Sequence, residues 1–173
     1  MAPERLSYRA LQWLVFAFLA LHNLEEGLTA HAYLPKVEAL LRGRVPAEFI
    51  AGLPTAGQFY VALVGATLVP LAVVLYAATG RPSDFKNYAV ATLQALVLVN
   101  VFVPHVPAAF ALGGYAPGVA TAVLINLPFS VLFFRRSLRE GRVSRKGLAV
   151  MLLCALPLLL LSVRGMYALA ESF

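Results

Sequence analysis

Apolar positions fall into five blocks along the chain, at about 10–30, 59–78, 88–103, 119–134 and 148–163, with polar and basic residues gathered between them. A helix needs about 20 predominantly apolar residues to cross a bilayer, fewer when flanking residues complete the span. The pattern predicts five transmembrane helices in an all-α polytopic membrane helix bundle, a single membrane domain over residues 1–173. Pro70, Pro128 and Pro157 fall inside blocks. Membrane helices tolerate them, with kinks.

Two stretches are open to more than one reading. Arg5 and Arg9 before a short apolar run resemble a signal peptide. A cut after Ala20 would put Phe18 where a small residue is required, and the helical pattern continues beyond it, so a retained helix is expected. From 36 to 53, Val37, Leu40 and Leu41 recur at helical spacing among Lys36, Glu38, Arg42 and Arg44. That spacing fits a short amphipathic helix on the membrane surface, broken at Gly43 and Pro46; a polar loop fits equally.

Composition agrees with the pattern. Of the 173 residues, 61% are hydrophobic and 13% charged, against about 25% charged in a soluble domain. A water-soluble monomer and a disordered chain are both excluded. The net charge of +6 does not indicate a nucleic-acid partner, because the basic residues sit between apolar blocks. They set an orientation instead. Arg5, Arg9, Arg81, Lys86 and the six from Arg135 to Lys146 would share one side of the membrane, and Lys36, Arg42, Arg44 and Arg164 the other. The positive-inside rule then predicts a cytoplasmic N-terminus and an outer C-terminus, with the plasma membrane as the expected location. The single cysteine, Cys154, supports neither an internal disulfide nor a cysteine-based zinc site.

Against this background His22-Asn23-Leu24-Glu25-Glu26 stands out inside the first block. A charge at the bilayer centre costs roughly 2.5–3.5 kcal/mol by insertion scales, and two adjacent carboxylates repel. A cation, a proton or a partner helix must offset that cost. Residues three and four apart share a helix face, so His22 projects beside both Glu25 and Glu26. Nitrogen and oxygen donors at one point suit a divalent metal, zinc first, with iron or manganese also acceptable. At about 1.5 Å per residue, His22 to Glu26 lie roughly 18–24 Å from the inner end of their helix, and Asn100 and His105 roughly 18–25 Å from the inner end of theirs. Both groups should therefore meet in the outer half of the membrane. Tyr115-Ala116-Pro117-Gly118 opens the next span, and Pro-Gly suits the centre of a type II turn. Such a turn would present Tyr115 at the outer mouth, as a proton or hydrogen-bond donor or as an aromatic-belt residue.

In these three elements the chain resembles the HXXEE-domain family: His22 to Glu26 fit its signature, His105 its further histidine, and Tyr115 to Gly118 its YxPG element. The resemblance covers roughly Ala10 to Phe134. It implies a small integral membrane protein of unknown biochemical role; the family's charged residues have led to the suggestion that it is enzymatic, and the resemblance names no reaction.

The leading expectation is a membrane-embedded metal-dependent enzyme. His22, Glu25, Glu26 and His105 are the candidate metal ligands, and Glu25, Glu26 and Tyr115 the candidate catalytic groups. His22, His105 and one glutamate would hold the ion while the other glutamate serves as general base. Asn23 and Asn100, and also Asn126, are candidates to orient these side chains; hydrogen bonding between helices is the other reading. Gln58 and Gln94 are weaker cases. His31, nine residues beyond His22, should face away from the site, and Arg164 should snorkel at a helix end. A lipid or other apolar substrate would enter from the bilayer, with hydrolysis expected first and oxidation at iron second. The alternative is a proton- or cation-coupled carrier without chemistry, which a chain this small would achieve only as a homo-oligomer. Anionic lipid headgroups are the expected partners of the basic link from Arg135 to Lys146.

Overall fold

The computed structural model describes residues 6–172, so Arg5 lies outside the described residues. These residues form helices and turns, with no strand among them. Helix α1 (Tyr8–Leu41) is followed by a short α2 (Ala47–Ala51) and then α3 (Ala56–Ala78). Helix α4 (Asp84–Asn100) continues through a kinked segment, Val101–His105, into α5 (Val106–Ala111). Helix α6 (Val119–Thr121) passes through a wide turn, Ala122–Asn126, into α7 (Leu127–Arg139), and α8 (Arg145–Ala170) ends the described helices. Local chemistry sets the boundaries. Ser7, Thr55, Ser83 and Ser144 each cap a helix start by accepting a backbone N–H. At Thr55 the Gln58 side chain completes a reciprocal capping box.

Among the described residues, four helical segments are long and apolar enough to cross a membrane: Ala56–Ala78, Asp84–Ala111, Val119–Arg139 and Arg145–Ala170. The expected five is therefore one too many by this measure. Helix α1 has the length, 34 residues or about 51 Å, but His22 to Glu26 and its charged ends interrupt its apolar character. It packs along α3, with His22 and Asn23 buried. Its polar face is thus shielded by neighbouring helices rather than exposed to a solvent that could not satisfy it. Helix α1 also takes in Lys36 to Leu41, with Pro35 inside it. The expected surface helix at 36–53 reduces to the last turns of α1, a turn and the five residues of α2.

Helix α3 packs on α1, α4 and α8, and α4 on α7 and α8. Leu11 and Val15 of α1 meet Val90, Ala91 and Ala95 of α4 and Phe129 and Phe133 of α7 in one apolar core. The alanines let backbones approach closely, as membrane helix packing favours. This core fills the half of the bundle nearest Tyr8. Phe18 packs edge-on against Phe129 at 4.8 Å, and one turn further along α1, at His22, the interior becomes polar. On the outside, Leu124, Leu153 and Leu161 are 74%, 79% and 66% exposed. Continuous apolar exteriors of this kind suit lipid and not water.

Candidate functional site

His22 and His105 face each other across the bundle, their ring centroids 4.6 Å apart and nearly perpendicular. Both are buried. The depth match expected from helix rise is confirmed by direct contact, since the Asn100 Nδ2 amide lies 3.2 Å from His22 Nε2 and 2.9 Å from His105 Nε2. On a straight helix, Asn100 and His105 would stand about 140° apart at roughly 100° per residue. A kink in the chain brings them together. Val103 leaves helical geometry (φ −145°, ψ 107°) ahead of Pro104, where a residue preceding proline is driven toward extended backbone. The change of direction there swings His105 back over Asn100.

The hydrogen-bond partners fix the proton positions. His105 Nδ1 lies 2.9 Å from the Pro117 carbonyl, a pure acceptor, so Nδ1 carries the proton and donates it. In the neutral ring Nε2 is then a lone pair. The Asn100 –NH₂ donates to it and directs its second hydrogen at His22 Nε2. His22 in turn donates from Nδ1 to Thr121 Oγ1 at 2.9 Å, and the Thr121 hydroxyl donates to the Gly118 carbonyl at 3.2 Å. Two imidazole lone pairs therefore face one point. Glu26 adds a third acceptor there, its Oε1 3.5 Å from His105 Nε2 and 4.0 Å from His22 Nε2. Ligand atoms of His22, Glu26 and His105 all lie within 4.8 Å of one another, so the three residues could hold a metal ion.

The two adjacent glutamates have different surroundings. Glu25 does not join this group, as the shared-face reading had expected. Its Oε1 accepts the Tyr115 hydroxyl at 2.5 Å and the Ala120 N–H at 3.2 Å, and its Oε2 accepts the Thr121 N–H at 2.7 Å. These are the second and third amides of α6, whose own capping residue, Gly118, has no side chain to offer. A carboxylate from α1 thus caps a helix on the opposite wall. With its oxygens occupied by three donors it is a poor general base. Glu26 accepts no hydrogen bond at its carboxylate among the described residues, and is 18% exposed at the side chain.

The Tyr115–Gly118 element holds these pieces together. Val119 N bonds the Ala116 carbonyl at 3.1 Å, and Gly118 has φ +77° and ψ −9°, as the second central residue of a type II turn requires. A Cβ at Gly118 would come within 2.7 Å of His22, 2.8 Å of Glu26 and 2.9 Å of His105. Only glycine lets this backbone press against all three residues. Tyr115 turns its hydroxyl inward to Glu25 rather than standing free at an interface, and its ring lies 5.3 Å from that of Tyr33. Burial, and after it the bond to Glu25, raises the phenol above its ordinary pKa.

Other expected positions divide. Asn100 lies at the centre of the site. Asn23 orients none of the site residues: it donates to Thr67 Oγ1 of α3 at 2.8 Å, a bond between helices. Asn126 lies outside the cluster, and its buried Oδ1 has no partner among the described residues. His31 and Arg164 are exposed and outside the site, as expected. Thr121 was not singled out from the sequence, although it serves both His22 and Glu25. Its position one turn after Pro-Gly was the available signal.

The fold and site together define a helical bundle of membrane-spanning character with a buried histidine–glutamate cluster. The chain matches the family described as "Protein of unknown function with HXXEE motif" over residues 13–133, and belongs to that family. No curated protein and no solved structure matches it.

Proposed function

We propose that the protein is a membrane-embedded, metal-dependent enzyme whose ion is held by His22, Glu26 and His105. One observation carries this reading. Two imidazole lone pairs and a carboxylate oxygen converge with only the Asn100 amide hydrogens between them. Such an arrangement of acceptors is electrostatically costly, and a bound cation would offset that cost. Two histidines and one carboxylate are a donor set used by catalytic zinc and by non-haem iron. Each histidine also donates from its other nitrogen to an oxygen, the usual support for a metal-binding imidazole. Zinc is favoured, with hydrolysis as the reaction and oxidation at iron the next choice.

A bound divalent ion would supply Lewis acidity for polarising a carbonyl or activating water. The chain's own residues divide the remaining work. Pro117 and Thr121 hold the two rings in their tautomers. Glu25 anchors the start of α6 and keeps Gly118 against the cluster. Within the cluster Glu26 has the unengaged carboxylate, and its side chain is 18% exposed. The apolar exterior of the bundle, with Leu24 and Leu28 of the same helix 55% and 75% exposed, suits an apolar substrate, such as a lipid, arriving from the bilayer. The concentration of basic residues around Arg9, Lys86 and Arg142 supports a cytoplasmic N-terminus in the plasma membrane, with this site in the outer half. Elemental analysis of purified protein tests the proposal. Wild type should hold stoichiometric metal, Glu26→Gln and His105→Ala should lose it, and a lipid ester should turn over only in the loaded protein. Equal trace metal in wild type and Glu26→Gln would refute it.

A carrier reading is favoured by a separate observation. Gln94 donates to Ser130 Oγ at 2.6 Å, yet Gln94 Oε1 and Asn126 Oδ1 are buried acceptors with no partner among the described residues. Water beside them would extend a polar path inward from the site. Proteoliposome flux that vanishes in Glu26→Gln, without substrate turnover, would select this reading.

A further inference from the structure

A cavity lies at the end of the bundle away from the histidine–glutamate cluster. It has a volume of about 180 Å³ and lies between the start of α1, the turn after α3, the start of α4 and the link before α8. Three cations line it from three separate segments, Arg9, Lys86 and Arg142. Two amides, Gln12 and Asn87, line it as well. They are 5% and 7% exposed, and neither side chain makes a hydrogen bond among the described residues. Their polar ends line the cavity, where both can present N–H donors to the same space.

The surrounding charges leave the cavity positive. Arg142 is held in place with its guanidinium 4.8 Å above the Tyr8 ring. Its Nε pairs with Glu140 Oε2 at 3.5 Å, too long for a hydrogen bond, while Arg136 engages Glu140 Oε1 at 2.6 Å, so one carboxylate is shared between two guanidinium groups. Lys86 donates to the Thr79 carbonyl and lies 4.9 Å over the Tyr76 ring. An ammonium has three donors, so one such contact does not exhaust it. Guanidinium, ammonium and amide donors around one small space make a receptor for a tetrahedral oxyanion.

We infer that this cavity binds a phosphoryl group, supplied by an anionic phospholipid headgroup or by a soluble phosphate. Its position favours neither source by charge alone. It opens at the end of the bundle that carries Arg81, Arg135, Arg136 and Arg139, the level where headgroups meet a basic rim. The site is separate from the histidine–glutamate cluster, since Gln12 and His22 are ten residues apart on one helix, about 15 Å.

Thermal unfolding in nanodiscs tests the inference, with pure phosphatidylcholine, phosphatidylcholine containing phosphatidylglycerol, and phosphatidylcholine plus inorganic phosphate. Wild type should be stabilised by phosphatidylglycerol, by inorganic phosphate, or by both, and the pattern identifies the source. Asn87→Leu and Arg142→Gln should each reduce that stabilisation about twofold or more, while Arg139→Gln, which removes a charge outside the cavity, should leave it unchanged. Gln12→Leu repeats the test without altering charge, and circular dichroism confirms that each variant is folded. No stabilisation by any arm, or an equal loss in Arg139→Gln and Arg142→Gln, would overturn the inference, the latter by reducing the effect to surface attraction.

Discussion

Pro117 accepts a hydrogen bond from His105 Nδ1 at 2.9 Å, and this contact decides which nitrogen of His105 looks into the site. A backbone carbonyl cannot donate, so the ring presents a lone pair at Nε2. The type II turn that places this carbonyl also places Gly118 against His22, Glu26 and His105. Gly118→Ala should therefore damage both stability and the site. The left-handed backbone costs an alanine roughly 1–2 kcal/mol, and forcing a methyl into packed side chains costs about 1–3 kcal/mol more. Thermal denaturation should show a clear fall in Tm, and zinc titration should show affinity weakened by about tenfold or more. Wild-type zinc affinity in Gly118→Ala would contradict the proposed packing.

The adjacent glutamates should separate cleanly by mutation. Glu25→Gln loses charge-assisted bonds to Tyr115, Ala120 and Thr121, at a cost of about 1–3 kcal/mol, and should lower Tm while retaining metal. Glu26→Gln removes a carboxylate that no donor satisfies, and should lose metal with little change in the Tm of the metal-free protein. Paired measurements of Tm and metal content on both variants check this. The opposite assignment would mean that Glu25 is the ligand.

The Tyr115 hydroxyl gives a pH signature. Burial and the Glu25 carboxylate raise its pKa above the ordinary value of about 10. A raised value contributes stability that is complete below the unfolded-state pKa and is lost as pH climbs through the folded-state one. Tyr115→Phe should be less stable than wild type at neutral pH, and the gap should narrow above about pH 10. A gap that stays constant across an alkaline series of unfolding curves would show that the phenol is not held by Glu25.

Asn23 should matter for packing alone. Replacing it with Leu breaks the bond to Thr67, worth about 0.6–1.7 kcal/mol between membrane helices, and should leave metal content unchanged. Thr67→Val should match it in Tm, and the double variant should cost less than the sum.

Much of this architecture was legible from periodicity, and the exceptions have physical causes. The apolar blocks located both ends of α3 and the start of α8 to within about three residues, while the blocks at 119–134 and 148–163 stopped short of the helix ends at Arg139 and Ala170. They overcounted the membrane-crossing segments because α1 is carried by neighbours that cover its polar face. Depth arithmetic brought His22 and His105 together correctly. It could not divide Glu25 from Glu26, because helical spacing offers both carboxylates to His22. The decision comes from amides of α6 some 95 residues away. Thr121 and the Pro117 carbonyl were missed for the same reason, since a backbone acceptor leaves no mark in residue identity. Asn100 and His105 meet only because the helix breaks at Val103, a break that Pro104 permits but does not by itself dictate.

The central claim is that His22, Glu26 and His105 hold one metal ion, and an anomalous-difference map from crystals of zinc-loaded protein tests it most directly. The expected result is a single strong peak within about 2.0–2.2 Å of His22 Nε2, His105 Nε2 and a Glu26 oxygen, with Glu25 still bonded to Tyr115, and no peak in Glu26→Gln crystals. A peak elsewhere, or none in fully loaded wild-type crystals, would contradict the claim.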